Sequence, residues 1–193
     1  MAPIAESKIA ADSAAETLTP LSIAGAFLLT PHVVEDDRGS FTRLWCGDLA
    51  GRYGLPTTID HYSRSVNRRV GTLRGMHYQI APHDESKWVR CAAGSIWDVL
   101  LDLRPTSPSY RHWAGVELSA DNDHQVYVPP GVAHGFLTLA DQSVVHYAIS
   151  GRYHPAAARG IRWNDPAFEI SWPAEPTTIS PRDANYPLFY DLA

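Results

Sequence analysis

Short apolar runs, each stopped by a turn signal, follow one another along most of this chain. The candidate strands are Ala26 to Val34, Phe41 to Trp45, Thr58 to Ser65, Thr72 to Gln79, Lys87 to Ala92, Ser95 to Leu103, His112 to Leu118, Gln125 to Val128, His134 to Leu139 and Val144 to Ile149. Between them stand Asp37-Arg38-Gly39, Ala93-Gly94, Pro105 to Pro108, Asp121-Asn122-Asp123 and Pro129-Pro130-Gly131. Short strands at this spacing predict an all-β sandwich or barrel. The 15 prolines and 13 glycines supply the stops. The best helix pattern, Gly47 to Tyr53, is short. Beyond Arg152 the prolines at 155, 166, 173, 176, 181 and 187 break all periodicity, which predicts a tail wrapped around the barrel.

A chain of 193 residues suits one buried core. No internal repeat or linker divides it, so residues 21–193 are read as a single domain. Residues 1–20 are read as a flexible extension. That stretch is alanine-rich but broken by Glu6, Lys8, Asp12 and Glu16, unlike an export signal. The run Leu21 to Leu29 is too short to span a bilayer. The net charge of -5 argues against nucleic-acid binding. Cys46 lies beside a turn and Cys91 in an apolar run, so no disulfide framework is expected and a cytoplasmic setting fits.

The run Ile96 to Leu103 is informative about architecture. Asp98, Leu100 and Asp102 share one strand face, and Trp97, Val99 and Leu101 the other. Two carboxylates on one face point either to solvent or to a wet cavity, such as the mouth of a small barrel.

Leu73-Arg74-Gly75-Met76-His77-Tyr78-Gln79 sets a histidine inside a strand-like run, with Arg74 three residues before it. A lone strand histidine is first read as structural. A histidine with a carboxylate partner is a good general base near neutrality. Asp98, Asp102, Asp165 and Asp183 are all candidate partners, and spacing does not choose among them. Lys87 or Arg74 could stabilise a developing oxyanion. Tyr147, on a strand, could return a proton from the opposite side.

Val128-Pro129-Pro130-Gly131-Val132-Ala133-His134-Gly135-Phe136 resembles the second motif of the cupins, whose histidine joins a His-x-His pair and a glutamate around a metal. Here the matching stretch is His77-Tyr78-Gln79, and the second histidine is missing. A divalent metal wants three or four convergent ligands. No metal is expected.

The motifs together resemble the dTDP-4-dehydrorhamnose 3,5-epimerase family from about Ile23 to about Leu188. They are Asp37-Arg38-Gly39, Leu73 to Gln79, Lys87-Trp88-Val89-Arg90, Asp98 to Arg104, Gly115 to Ala120, Pro129 to Phe136, Arg162 to Pro166 and Ser180 to Asp183. The resemblance implies a cupin-like jelly-roll barrel with short flanking helices, acting on a nucleotide sugar without a cofactor. It implies His77 as catalytic base, Asp183 as its partner, Tyr147 as proton donor and Lys87 beside the sugar's C4 oxygen. It implies substrate contacts at Arg38, Arg74, His134 and Tyr153, with His61, Gln79 and Arg182 at neighbouring recognition positions. It also implies a homodimer with an exchanged N-terminal strand, in which Arg38 serves the neighbouring site. The chain departs from the family pattern at Arg43, at Ile59-Asp60-His61, at Ala158-Arg159 and at Arg182. These departures fall on recognition positions, so the nucleotide and the carbon inverted are the open points.

Overall fold

The computed structural model describes residues 16–192. Two antiparallel sheets face each other. The first has the order β1 (Thr17–Pro20), β2 (Phe27–Thr30), β10 (Gln125–Val128), β7 (Ser86–Ala93), β12 (Ser143–Ser150) and β5 (His61–Asn67). The second has the order β13 (Ala158–Gly160), β6 (Thr72–Gln79), β11 (Val132–Thr138), β8 (Ser95–Asp102) and β9 (Trp113–Ser119), and β14 (Thr178–Ile179) adds to β6 in parallel. A separate hairpin joins β3 (Val33–Asp36) to β4 (Gly39–Thr42). The helices are short: α1 (Gly47–Arg52) and α2 (Pro181–Ala184). Among the described residues no helix is long and apolar enough to cross a membrane.

Thr17–Pro20 forms a strand register-paired with β2, Leu18 opposite Leu29. This corrects the reading of residues 1–20 as a single flexible extension. Burial of Leu18 against Leu29, Trp88 and Tyr127 is the reason. The rest of that stretch, residues 1–15, lies outside the described residues. The long run read as one strand from Ala26 to Val34 is two, β2 and β3, because Pro31 lacks the N–H that would continue the ladder.

Strand alternation sorts the side chains into three layers. Val89, Cys91, Val126, Val128 and Val145 of the first sheet meet Ile96, Leu100, Leu118, Val132 and Phe136 of the second in the barrel interior. The outer face of the first sheet, with Trp88, Tyr127 and Ala148, is covered by Leu49 of α1. The outer face of the second, with Met76, Val99 and Leu101, is covered by Ile161 and Phe168 of the tail. The tail therefore wraps the barrel as the prolines predict, and β8 is buried on both faces.

Candidate active site

Arg74 and His77 are three residues apart, which on a regular strand would send them to opposite faces. The β6–β11 pairing is bulged: His77 opposes His134 and Arg74 opposes Phe136, so two residues of β6 face one of β11. Phe136 points into the barrel interior. The bulge thus turns both Arg74 and His77 to the inner side. Gly75 makes it possible, since a Cβ there would lie 2.5 Å from the Gly135 Cα.

Asp183 reaches His77 from α2. Ser180 caps that helix by accepting from the Asp183 N–H at 3.1 Å, and Pro181 occupies the first turn. The Asp183 carboxylate faces the His77 Nε2 at 2.9 Å and accepts from the Gly75 N–H at 3.3 Å. Burial works against the charged carboxylate, but these hydrogen bonds outweigh it and hold its pKa below the ordinary value. The His77 side chain is 40% exposed and that of Asp183 7%. With Nε2 engaged, Nδ1 is the nitrogen able to take a proton from a bound molecule. The Tyr186 ring stands edge-on to the imidazole at 5.7 Å, and Arg182 lies over that tyrosine. A cavity of about 430 Å³ opens here, walled by Arg74, His77, Arg182, Asp183 and the stretch Thr178 to Ser180.

Tyr147 belongs to β12 of the facing sheet and packs against the interior core. Burial pushes its phenol pKa up, with the Asp98 charge adding to the effect. It is a neutral O–H at physiological pH. Its hydroxyl meets Ser65 Oγ at 3.2 Å, Ser65 Oγ accepts from Asn67 Nδ2 at 3.3 Å, and Asn67 Oδ1 accepts from Arg74 Nε at 2.8 Å. This relay ties the phenol to an arginine of the cavity wall. Lys87 of β7 has a second relay. Its ammonium pairs with Glu85 at 3.0 Å, and Glu85 accepts from Gln79 Nε2 at 2.9 Å. Gln79 lies two residues after His77, on the same face of β6.

His134 points inward beside Tyr147, the rings edge-on at 6.4 Å, and its Nε2 faces Asp98 at 2.8 Å. Of the four carboxylates open to pairing with His77, then, Asp183 takes the role. Asp98 serves His134, Asp102 accepts from Arg104, Ser107 and Ser109, and Asp165 accepts from the Ala167 and Phe189 N–H groups. Asp98 and Asp102 have no exposed surface, so the two-carboxylate face of β8 lines neither solvent nor an open cavity. Among the described residues no three or more His, Cys, Asp or Glu side chains converge as a metal site.

Several expected contacts stand apart. Arg38 sits on the β3–β4 hairpin, bonded to Asp36, and does not line its own chain's cavity. His61 and Tyr153 are exposed and outside the cavity lining, and the Tyr153 N–H donates to His61 Nε2 at 3.4 Å. Gln79 is buried and spends its amide within the protein. Ser65, Asn67, Glu85 and Tyr186 were missed. Ser65 with Asn67 has the two-residue spacing of one strand face, and Glu85 stands two before Lys87 where β7 begins, which is the signal that was present.

Fold and site together define a cupin-like barrel with a His77–Asp183 pair at the wall of a cavity that neither Tyr147 nor Lys87 lines. Residues 20–191 match the family model described as dTDP-4-dehydrorhamnose 3,5-epimerase. The dTDP-4-dehydrorhamnose 3,5-epimerase of Escherichia coli is 40% identical, over 83% of this chain and 88% of that one. The dTDP-4-dehydrorhamnose 3-epimerase of Streptomyces niveus is 36% identical, over 86% of this chain and 80% of that one. The crystal structure of the Bacillus anthracis 3,5-epimerase with TDP and PPi bound superposes with a TM-score of 0.87 at 35% identity, covering 91% of this chain and 100% of that one. The chain belongs to the dTDP-4-dehydrorhamnose 3,5-epimerase family.

Proposed function

We propose that this protein is a cofactor-independent epimerase of a dTDP-4-keto-6-deoxyhexose, inverting C3 and C5 through enolates. The observation that carries the reading is the half-open His77 clamped by the buried Asp183 on one sheet, with the neutral Tyr147 phenol on the facing sheet. In such a sugar both C3–H and C5–H are alpha to the ketone. His77 Nδ1 takes either proton, and the electron pair moves onto O4. The Lys87 ammonium stabilises that oxygen more in the transition state than in the ground state. Tyr147 gives a proton to the opposite face of the same carbon, and the centre inverts. The ketone itself acidifies the carbon, so the chemistry needs no electron carrier. A 3-epimerase is the second reading, supported by the Streptomyces niveus relative, since one base and one acid serve either carbon.

We read the active form as a homodimer. The β3–β4 hairpin carries Arg38 with its side chain 89% exposed, beside exposed Val34 and Phe41. An apolar hairpin with an outward guanidinium suits insertion into a second copy, where Arg38 would meet the pyrophosphate. The free Cys46 and Cys91 support a reducing, cytoplasmic setting.

Incubation with dTDP-4-dehydro-6-deoxyglucose in deuterium oxide tests the reading. Deuterium at C3 and C5 with inversion at both is expected. Label at C3 alone supports the second reading, and label at neither carbon defeats both.

A further inference from the structure

We propose that Glu85 is a positioning residue, which holds the Lys87 ammonium in place for the oxygen that becomes negative. This rests on the reading of Lys87 given above. Glu85 is the residue just before β7 and Lys87 the second residue within it, so the two stand two apart where the strand begins. Their side chains are 10% and 11% exposed, with nitrogen and oxygen 3.0 Å apart. An ammonium this sheltered needs a counter-charge, or it gives up its proton or swings toward water. Glu85 supplies that charge through one oxygen only. The lysine has three N–H donors, so two are left for a ligand.

The other carboxylate oxygen is fixed in turn. Gln79 donates to it at 2.9 Å. The Gln79 amide has its own orientation set by both ends: Oε1 accepts from the His154 N–H at 2.8 Å, and Nε2 donates to the His83 carbonyl at 2.9 Å. Gln79 is 3% exposed and shares its strand face with His77. The chain from Gln79 through Glu85 to Lys87 therefore couples the lysine of one sheet to the strand that carries the base in the other. The ammonium is thereby held relative to β6 through Glu85 and Gln79 rather than left on a free side chain.

The test pairs turnover with a direct view of the lysine. Lys8 and Lys87 are the chain's lysines, so ¹⁵N-lysine labelling gives an ammonium spectrum simple to assign with Lys87→Ala. Glu85→Ala is expected to shift or broaden away the Lys87 signal. It is expected to lower kcat about 10- to 100-fold, as loss of a supporting partner does elsewhere, with KM changed less than about threefold. In a Lys87→Ala background the same substitution should change kcat less than about threefold, because its effect passes through the lysine. Should Glu85→Ala fail to fold, Glu85→Gln, of equal length and without charge, takes its place in the same cycle. An unmoved Lys87 signal overturns the pairing. An equal loss of kcat in both backgrounds, or no loss in the parent, overturns the positioning role. A parent that turns over no sugar nucleotide while the Lys87 signal still moves defeats the functional reading and leaves the pairing supported.

Discussion

His77 and His134 are register partners on neighbouring strands, and each faces an aspartate. The two contacts are nearly the same length, 2.9 and 2.8 Å. Their surroundings differ. The His77 side chain is 40% exposed at the edge of a cavity, while that of His134 is 5% exposed inside the barrel. The pair itself does not assign a role; access does. An imidazole that can reach a ligand can exchange protons with it. One enclosed beside Tyr147 can brace that phenol, and its carboxylate has no contact with water.

Removing each carboxylate breaks the comparison most sharply, because the two losses should fall on different measurements. On the proposed reading, Asp183→Ala leaves the base without the group that fixes its tautomer and stabilises its charged form. Turnover should fall about 10³- to 10⁴-fold, with the thermal midpoint lowered by only a few degrees. Asp98→Ala strips the partner from a buried histidine, a change that costs about 3–5 kcal/mol in comparable pairs. The midpoint should drop by about 10 °C in a chain of this size. Calorimetry and a turnover assay on both variants read the difference. Matching effects in the two columns would erase the distinction drawn from access.

Tyr147→Phe comes next. The phenol lies edge-on to His134, so on the proposed reading the sheltered pair backs the donor as the open pair supplies the base. Inversion should slow about 100-fold, while deuterium exchange at the abstracted position slows less, because His77 can return the proton it took. Equal loss of both rates would move the donor role to another group.

Much of this was legible in the sequence, and the parts that were not have physical reasons. Each of the ten runs overlaps a strand because its turn residues are strong stops, and β6 and β10 have the expected bounds, while the run Phe41 to Trp45 keeps only Phe41 and Thr42 in β4. The division at Pro31 and the strand at Thr17–Pro20 were missed, since an isolated four-residue strand has no periodicity to read. His77 was visible because a histidine is unusual in an apolar strand. Its partner came only through the family resemblance: Asp183 lies 106 residues away, and local pattern cannot rank it above Asp98. The face shared by Arg74 and His77 was hidden for another reason. Alternation predicts opposite faces, and the bulge at Gly75 reverses that. The relay residues Ser65, Asn67 and Glu85 carry ordinary polar side chains whose purpose is set by the sheet across from them.

Acid titration sharpens the comparison further. The Asp183 pKa is lowered on folding, the hydrogen bonds from His77 and the Gly75 N–H outweighing burial. A carboxyl with a lowered folded-state pKa contributes stability above its unfolded value, and the contribution is lost as pH falls through the folded value. Below about pH 4, where an unfolded aspartate gains its proton, the stability difference between the parent and Asp183→Asn should therefore shrink. Urea midpoints from pH 7 to pH 3 follow it. A gap that widens toward acid would mean that the carboxylate is strained rather than stabilised.

The smallest effect expected belongs to Ser65→Ala. Ser65 Oγ touches the Tyr147 hydroxyl and accepts from Asn67, so it links the donor to Arg74 at the cavity wall. Taking it away leaves the phenol buried with one partner fewer, and a single neutral hydrogen bond contributes about 0.5–1.5 kcal/mol. If the whole of that is felt in the reprotonation step, inversion slows about 2- to 10-fold. Proton exchange at His77 should not change, because nothing in this relay touches the open pair. The ratio of exchange to inversion therefore rises in Ser65→Ala by the same factor that inversion falls. An unchanged ratio with both rates lowered would mean that the serine supports the strand, not the phenol.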